Sequence, residues 1–182
     1  MDVQKRMGGW IVVGAILWLL GPGNLGPALA QEKTSIGPKA GDWSGGVAVG
    51  FLANTPDSTV FGLNLHADRF LSKDFSVGPL AQLGFGSNLT LAGFSGQGKY
   101  WMDLPGISDK TKMNLQAGLG FVHADMGPSD TSWLIPLGIG IDHAVAEQVA
   151  LTANFMLNFT NLDLGANRRT TIMPGLTFGI RF

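Results

Sequence analysis

The chain has 182 residues, 45% of them apolar, and carries 12 Lys and Arg against 13 Asp and Glu for a formal net charge of −1. That balance lacks the basic excess of a nucleic-acid-binding protein, and with no cysteine the chain cannot be a disulfide-stapled scaffold. The length suits one domain.

Lys5 and Arg6 precede an uncharged apolar run, "WIVVGAILWLL" from Trp10 to Leu20. The breaker-rich "GPGNLGP" follows and leads to Ala28-Leu29-Ala30, a small-x-small cleavage pattern. The arrangement predicts a secretory signal peptide over residues 1–30, since its apolar part is too short to span a bilayer as a helix. Residues 31–42 are polar with Gly and Pro and read as a short lead. Residues 43–182 read as the folded domain. No later stretch is apolar for the eighteen or more residues that a spanning helix needs.

From Trp43 onward the sequence repeats one device, an alternation of apolar with small or polar residues. Val47, Val49 and Phe51 alternate with glycine and alanine. Phe61, Leu63, Leu65 and Ala67 alternate with Gly62, Asn64, His66 and Asp68. Val77, Ala81, Leu83 and Phe85 follow, and then the untidy segment "NLTLAGFSGQGKYWMDL". Its Phe94, Tyr100 and Met102 share one face and its Gln97 and Lys99 the other, which leaves Leu89 and Leu91 on the polar side. Segments led by Met113, Ile135, Val149 and Ile172 complete the set. A period of two means β-strands. Turn signals such as "NTPDS", "SKD", "DMGPSD" and "HAVAEQ" separate them. Eight strands with short connections predict an all-β fold, an eight-stranded antiparallel up-and-down β-barrel in which the last strand pairs with the first and no edge remains.

Alternation does not say which face points outward. A soluble lipocalin-like cup would point the apolar face inward, and the Gly-x-Trp of "GDWSGG" is compatible with one. The second face argues otherwise. It holds Gly, Thr, Asn and Gln with few charges, too few for a hydrated exterior, whereas glycines suit a crowded lumen. The apolar face is therefore expected to meet lipid, giving a transmembrane barrel. Aromatics are expected in two girdles. One comprises Trp43, Phe70, Phe75, Trp101 and Phe182. The other comprises Phe51, Phe61, Phe85, Phe121, Trp133 and Phe159.

The first strand "WSGGVAVGF", the strand–turn–strand units "ADRFLSKDFSVGP" and "DHAVAEQVALTANF", and the closing "LTFGIRF" together resemble the small eight-stranded outer-membrane β-barrel proteins of diderm bacteria, the OmpA-transmembrane-domain and OmpX-like group. The resemblance implies a cell outer-membrane location, outer-membrane lipids as surroundings, and a periplasmic lead over residues 31–42. It implies that Leu176, Phe178, Ile180 and Phe182 serve as a signal to the barrel-assembly machinery, in addition to meeting lipid. The group is functionally mixed, so the other expectations rest on the residues. Eight strands predict a narrow, filled lumen, and the charge balance predicts no nucleic-acid partner. The scarcity of catalytic and metal-ligand patterns predicts a non-enzymatic, monomeric barrel without cofactor in an envelope structural or interaction role. A small-solute or ion pore, a lipid A-modifying enzyme and a soluble periplasmic lipocalin-like binder stand as alternatives.

The sequence is poor in catalytic signals. Outer-membrane lipid A deacylases of this size carry His-x-Ser, but the corresponding positions after His66 and His123 are Asp68 and Asp125. Neither histidine has a partner at metal-ligand spacing. A sharper constellation is the set of charges on the inward parity. Asp68, Lys99, Asp142 and Arg181 lie in the same halves of strands two, four, six and eight, with His66 and Gln97 above them. Either they pair in the lumen as a network that closes one end, or they are rim charges in water.

Overall fold

The computed structural model describes residues 38–104, 108–165 and 169–182. The expected signal peptide over residues 1–30, residues 31–37 of the lead, and parts of the 104–110 and 164–168 connections lie outside the described residues. The strands are β1 (Trp43–Thr55), β2 (Ser58–Ser72), β3 (Phe75–Phe85), β4 (Thr90–Asp103), β5 (Thr111–Asp125), β6 (Ser129–Ala146), β7 (Val149–Asp163) and β8 (Arg169–Arg181). They form a closed barrel in chain order with every neighbour antiparallel.

Closure runs from Gly46 opposite Arg181 to Leu52 opposite Gly175. The ladder extends one step further, because Gly45 and Phe182 exchange backbone hydrogen bonds of 2.7 and 2.8 Å. Among the described residues this seam joins the two strands that would otherwise be free edges. We call the end that carries Phe182 and the two-residue turns Lys73–Asp74 and Glu147–Gln148 the inner end. The opposite end is the outer end.

Strands of 11 to 18 residues exceed the ~9–11 that cross hydrocarbon. They also extend into stretches that look like turns in sequence. Ser129 and Asp130 belong to β6, and so do His143 to Ala146. Beyond the bilayer a hairpin continues while its ladder is paired, and polar side chains are no obstacle there.

The two faces separate as the alternation requires. Val49, Phe94, Leu115, Leu119, Leu137, Ile139, Ile141, Leu151, Phe155, Leu176 and Phe178 all point outward and are exposed. Asn64, Asp68, Gln97, Lys99, Asn114, Gln116, Asp142 and Thr177 are buried in the lumen. At the outer end register places Phe51 beside Phe61 and Phe61 beside Phe85. Phe94, Phe121 and Trp133 continue the belt across β4, β5 and β6, with the Phe94 and Phe121 rings 6.2 Å apart. Phe159 lies between Ile135 and Ile172 and is half-buried.

The inner girdle differs from expectation. Trp43, Phe75, Tyr100 and Phe182 are exposed, but Phe70 and Trp101 are only 1% and 2% exposed. Both share the lumen parity of their strands, Phe70 with Asp68 and Trp101 with Lys99. They fill the inner mouth instead of meeting lipid. The lead contributes as well, since Gly41 N donates to Phe70 O and Phe70 N to Asp42 O, at 2.7 and 2.9 Å.

Glycines on the lumen face are of two kinds. A Cβ built on Gly120 would stand 2.0 Å from the Phe94 carbonyl oxygen of the next strand, whereas one on Gly62 would meet nothing closer than 3.8 Å. Gly62→Ala is expected to raise stability by about 0.4–1 kcal/mol by restricting the unfolded chain, and Gly120→Ala to prevent tight closure. Urea unfolding of the two variants in detergent micelles checks the contrast, and equal losses would show that the two sites are alike.

Candidate lumen site

The lumen fills in three layers. At the inner end, Asp68 on β2 is fully buried and receives Lys99 Nζ of β4 at 2.8 Å, with Gln97 Nε2 donating to its second oxygen at 3.3 Å. A buried carboxylate needs such donors to remain in a low-dielectric space. Asp142 on β6 accepts from Arg181 Nε of β8, and Arg181 Nη1 donates to Ser44 Oγ at 3.3 Å. The four charges thus form two ion pairs. The Trp101 ring lies beside both cations, 5.0 Å from the Arg181 guanidinium carbon and 6.0 Å from Lys99 Nζ. Its Nε1 donates to Ser76 Oγ at 3.0 Å, and Phe70 packs on it at 5.7 Å between ring centroids.

His66 stands above Asp68, its Nε2 3.6 Å from Asp68 Oδ2. It fits because residue 46 is glycine, where a Cβ would fall 2.4 Å from the imidazole Cε1. The middle layer contains Asn114, Gln116, Thr152, Asn154 and the contact from Asn64 Nδ2 to Met156 Sδ at 3.8 Å.

The outer layer is apolar. Val60, Leu89, Leu91, Val122, Ala124, Leu134, Leu162, Leu164 and Met173 form one buried cluster, with Leu52 and Met126 packed against it. Leu89 and Leu91, out of place on the polar parity in sequence, belong to this cap. The clue was present in the parity itself, since two leucines on the lumen face of one strand need apolar neighbours across the barrel.

The sequence-flagged residues therefore divide. Asp68, Lys99, His66 and Gln97 come together, and Asp142 pairs with Arg181 beside them. His123 is exposed at the outer end, where its Nδ1 shares a 2.8 Å hydrogen bond with Thr131 Oγ1. His143, which no motif in the sequence singles out, shares one of 2.9 Å through its Nδ1 with Thr111 Oγ1. Leu176, Phe178, Ile180 and Phe182 point outward. Among the described residues no group of three or more His, Cys, Asp and Glu is arranged to hold a metal ion.

A closed barrel of eight antiparallel strands, apolar outside and polar or charged within, is the architecture of a transmembrane β-barrel, and the fold is that of the small eight-stranded outer-membrane barrels. It is similar to Neisserial surface protein A, with a TM-score of 0.56 at 20% identity over 76% of this chain and 94% of that one. The N-terminal β-barrel domain of Pseudomonas aeruginosa OprF matches with a TM-score of 0.51 at 15% identity, covering 76% of this chain and 97% of the domain. A de novo designed transmembrane β-barrel matches at 0.53 and 15%, covering 80% and 98%. No family model and no curated protein sequence matches the chain. At these identities the likeness concerns the fold.

Proposed function

We propose that this protein is an integral barrel of the cell outer membrane with an envelope structural or interaction role, and that it is neither an enzyme nor an open pore. The observation that carries the reading is the obstruction of the lumen at both ends. The buried Asp68–Lys99 pair and the part-buried Asp142–Arg181 pair stand with Phe70 and Trp101 at one end, and an apolar cap stands at the other. An eight-stranded barrel has an interior just wide enough for side chains, and among the described residues no nucleophile and base converge in this one. The outward band makes outer-membrane lipids the surroundings. Outward Leu176, Phe178 and Ile180 on β8, with Phe182 just after it, are the contact offered to the barrel-assembly machinery, and the barrel acts as a monomer without cofactor or nucleic acid. The outer connections, such as Pro56–Asp57 and Met126–Pro128, are short and leave a small face for a partner.

The test is fractionation of expressing cells with boiled and unboiled SDS gels, followed by planar-bilayer recording. A heat-modifiable species in the outer-membrane fraction with no discrete conductance steps is the expected result. Regular open-channel steps would make the protein a pore. A soluble species in the periplasmic fluid would overturn the membrane reading. Unchanged lipid A mass spectra on overexpression are expected, and new acyl patterns would make it an enzyme. For the assembly contact, Phe182→Ala is expected to reduce the folded species in the outer membrane severalfold while leaving detergent refolding intact. Equal assembly would reduce β8 to a lipid contact.

A further inference from the structure

Among the described residues, six buried side-chain polar atoms have no hydrogen-bond partner in the protein: His66 Nε2, Gln82 Oε1, Ser95 Oγ, Asn114 Oδ1, Asn158 Oδ1 and Thr177 Oγ1. Leaving such a group unsatisfied costs more than most hydrogen bonds gain. They are not scattered. The residues bearing five of them border two small lumen cavities: Gln82, Asn158 and Thr177 a cavity of about 30 Å³ below the apolar cap, and His66 and Asn114 one of about 20 Å³ above the ion pairs.

We propose that these cavities are built water sites, holding about two waters in the outer and one in the inner, at roughly 10–15 Å³ of such volume per molecule. The outer site offers two amide oxygens and a hydroxyl, enough for a water to make the two to four bonds it requires. Asn158 is 1% exposed and Thr177 5%. The Asn158 amide nitrogen already donates to Met173 O at 3.3 Å, which assigns Oδ1 to the water. The inner site brings more than satisfaction of two atoms. Its walls include Lys99, Asp142 and Arg181 as well as His66 and Asn114, so its water joins the Asp68–Lys99 and Asp142–Arg181 pairs into one polar network. Asn64 and Met156 border both cavities, and their contact is the partition that keeps the two water sites separate.

The test is water–protein NMR on the full chain refolded in detergent micelles with ¹⁵N labelling, reading dipolar cross-peaks to water as distinct from proton exchange. The side-chain amide protons of Gln82 and Asn114 and the amide of residue 177 are expected to show them. Their absence, with cross-peaks present at exposed Asn54, would overturn the proposal. Thr177→Val keeps shape and removes one acceptor, and it should weaken the outer cross-peaks at least twofold while leaving those at Asn114 unchanged. Equal loss at both sites, or at neither, would refute two separate built sites. Met156→Ala should add a water cross-peak at the amide of residue 156, and if none appears the partition lies elsewhere.

Discussion

Replacing Lys99 by Met lowers the free energy of unfolding by about 3–5 kcal/mol, because it strands the fully buried Asp68 carboxylate on one neutral donor, Gln97. Urea unfolding followed by tryptophan fluorescence in micelles reads the change. Two companions make the result decisive. The double variant Asp68→Asn/Lys99→Met removes both charges and is expected to lose much less than the sum of the single losses, the signature of direct coupling. Lys112→Met removes a cation whose partner Asp103 lies 2.9 Å away but is 75% exposed, and it should barely move the midpoint because a solvated pair is screened and contributes little. If Lys99→Met behaves like Lys112→Met, the inner lumen is hydrated and its charges are rim charges.

The second large effect lies on the opposite face. Ile139 stands near the middle of the outward row on β6 and is exposed. Ile139→Arg places a guanidinium at the bilayer midplane and is expected to cost about 2–4 kcal/mol in lipid vesicles. His123→Arg lies on the same outward parity of the neighbouring β5 but at the outer rim, where such a penalty falls most of the way to zero. If the outward band met water instead of lipid, the sense of this experiment would reverse, since arginine on a hydrated exterior would be harmless or would improve solubility. Equal stability of Ile139→Arg and His123→Arg in vesicles would therefore refute the lipid-facing assignment of the band.

The two experiments probe one design from both sides. Lipid requires the outside to be uniform and apolar, so the inside must take the polar residues and satisfy them in a space without bulk water. Ion pairing does this at the inner end, and apolar packing closes the outer end. Whether solutes pass a lumen so organised is decided by the bilayer recording.

Much of the fold was legible in the chain, for a definite reason. A strand repeats every two residues, so parity alone assigns a face to each side chain from Trp43 to Phe182. Strict parity puts Asp68, Lys99, Asp142 and Arg181 on the inward face, and the structure pairs Asp68 with Lys99 and Asp142 with Arg181 there. The preference of aromatics for interfaces puts Phe70 and Trp101 in a lipid girdle, whereas their parity is that of Asp68 and Lys99 and the structure buries both. Leu89 and Leu91 looked misplaced because a lumen was expected to be polar throughout, whereas the outer end under the connections holds a small core of its own.

The chain by itself determined the class of architecture, eight strands with a lipid face and a lumen face, because local periodicity encodes the face. It also put Asp68, Lys99, Asp142 and Arg181 on one parity in the same halves of their strands, and left open whether they pair in the lumen or stand as rim charges. Only the tertiary structure decided which charges meet, Asp68 with Lys99 and Asp142 with Arg181, and that Trp101 lies beside both cations. It alone placed the five unpartnered polar atoms around two cavities divided by Asn64 and Met156. Those facts depend on register between strands and on the reach of side chains across a closed lumen. A period of two in one strand carries no information about what lies opposite it.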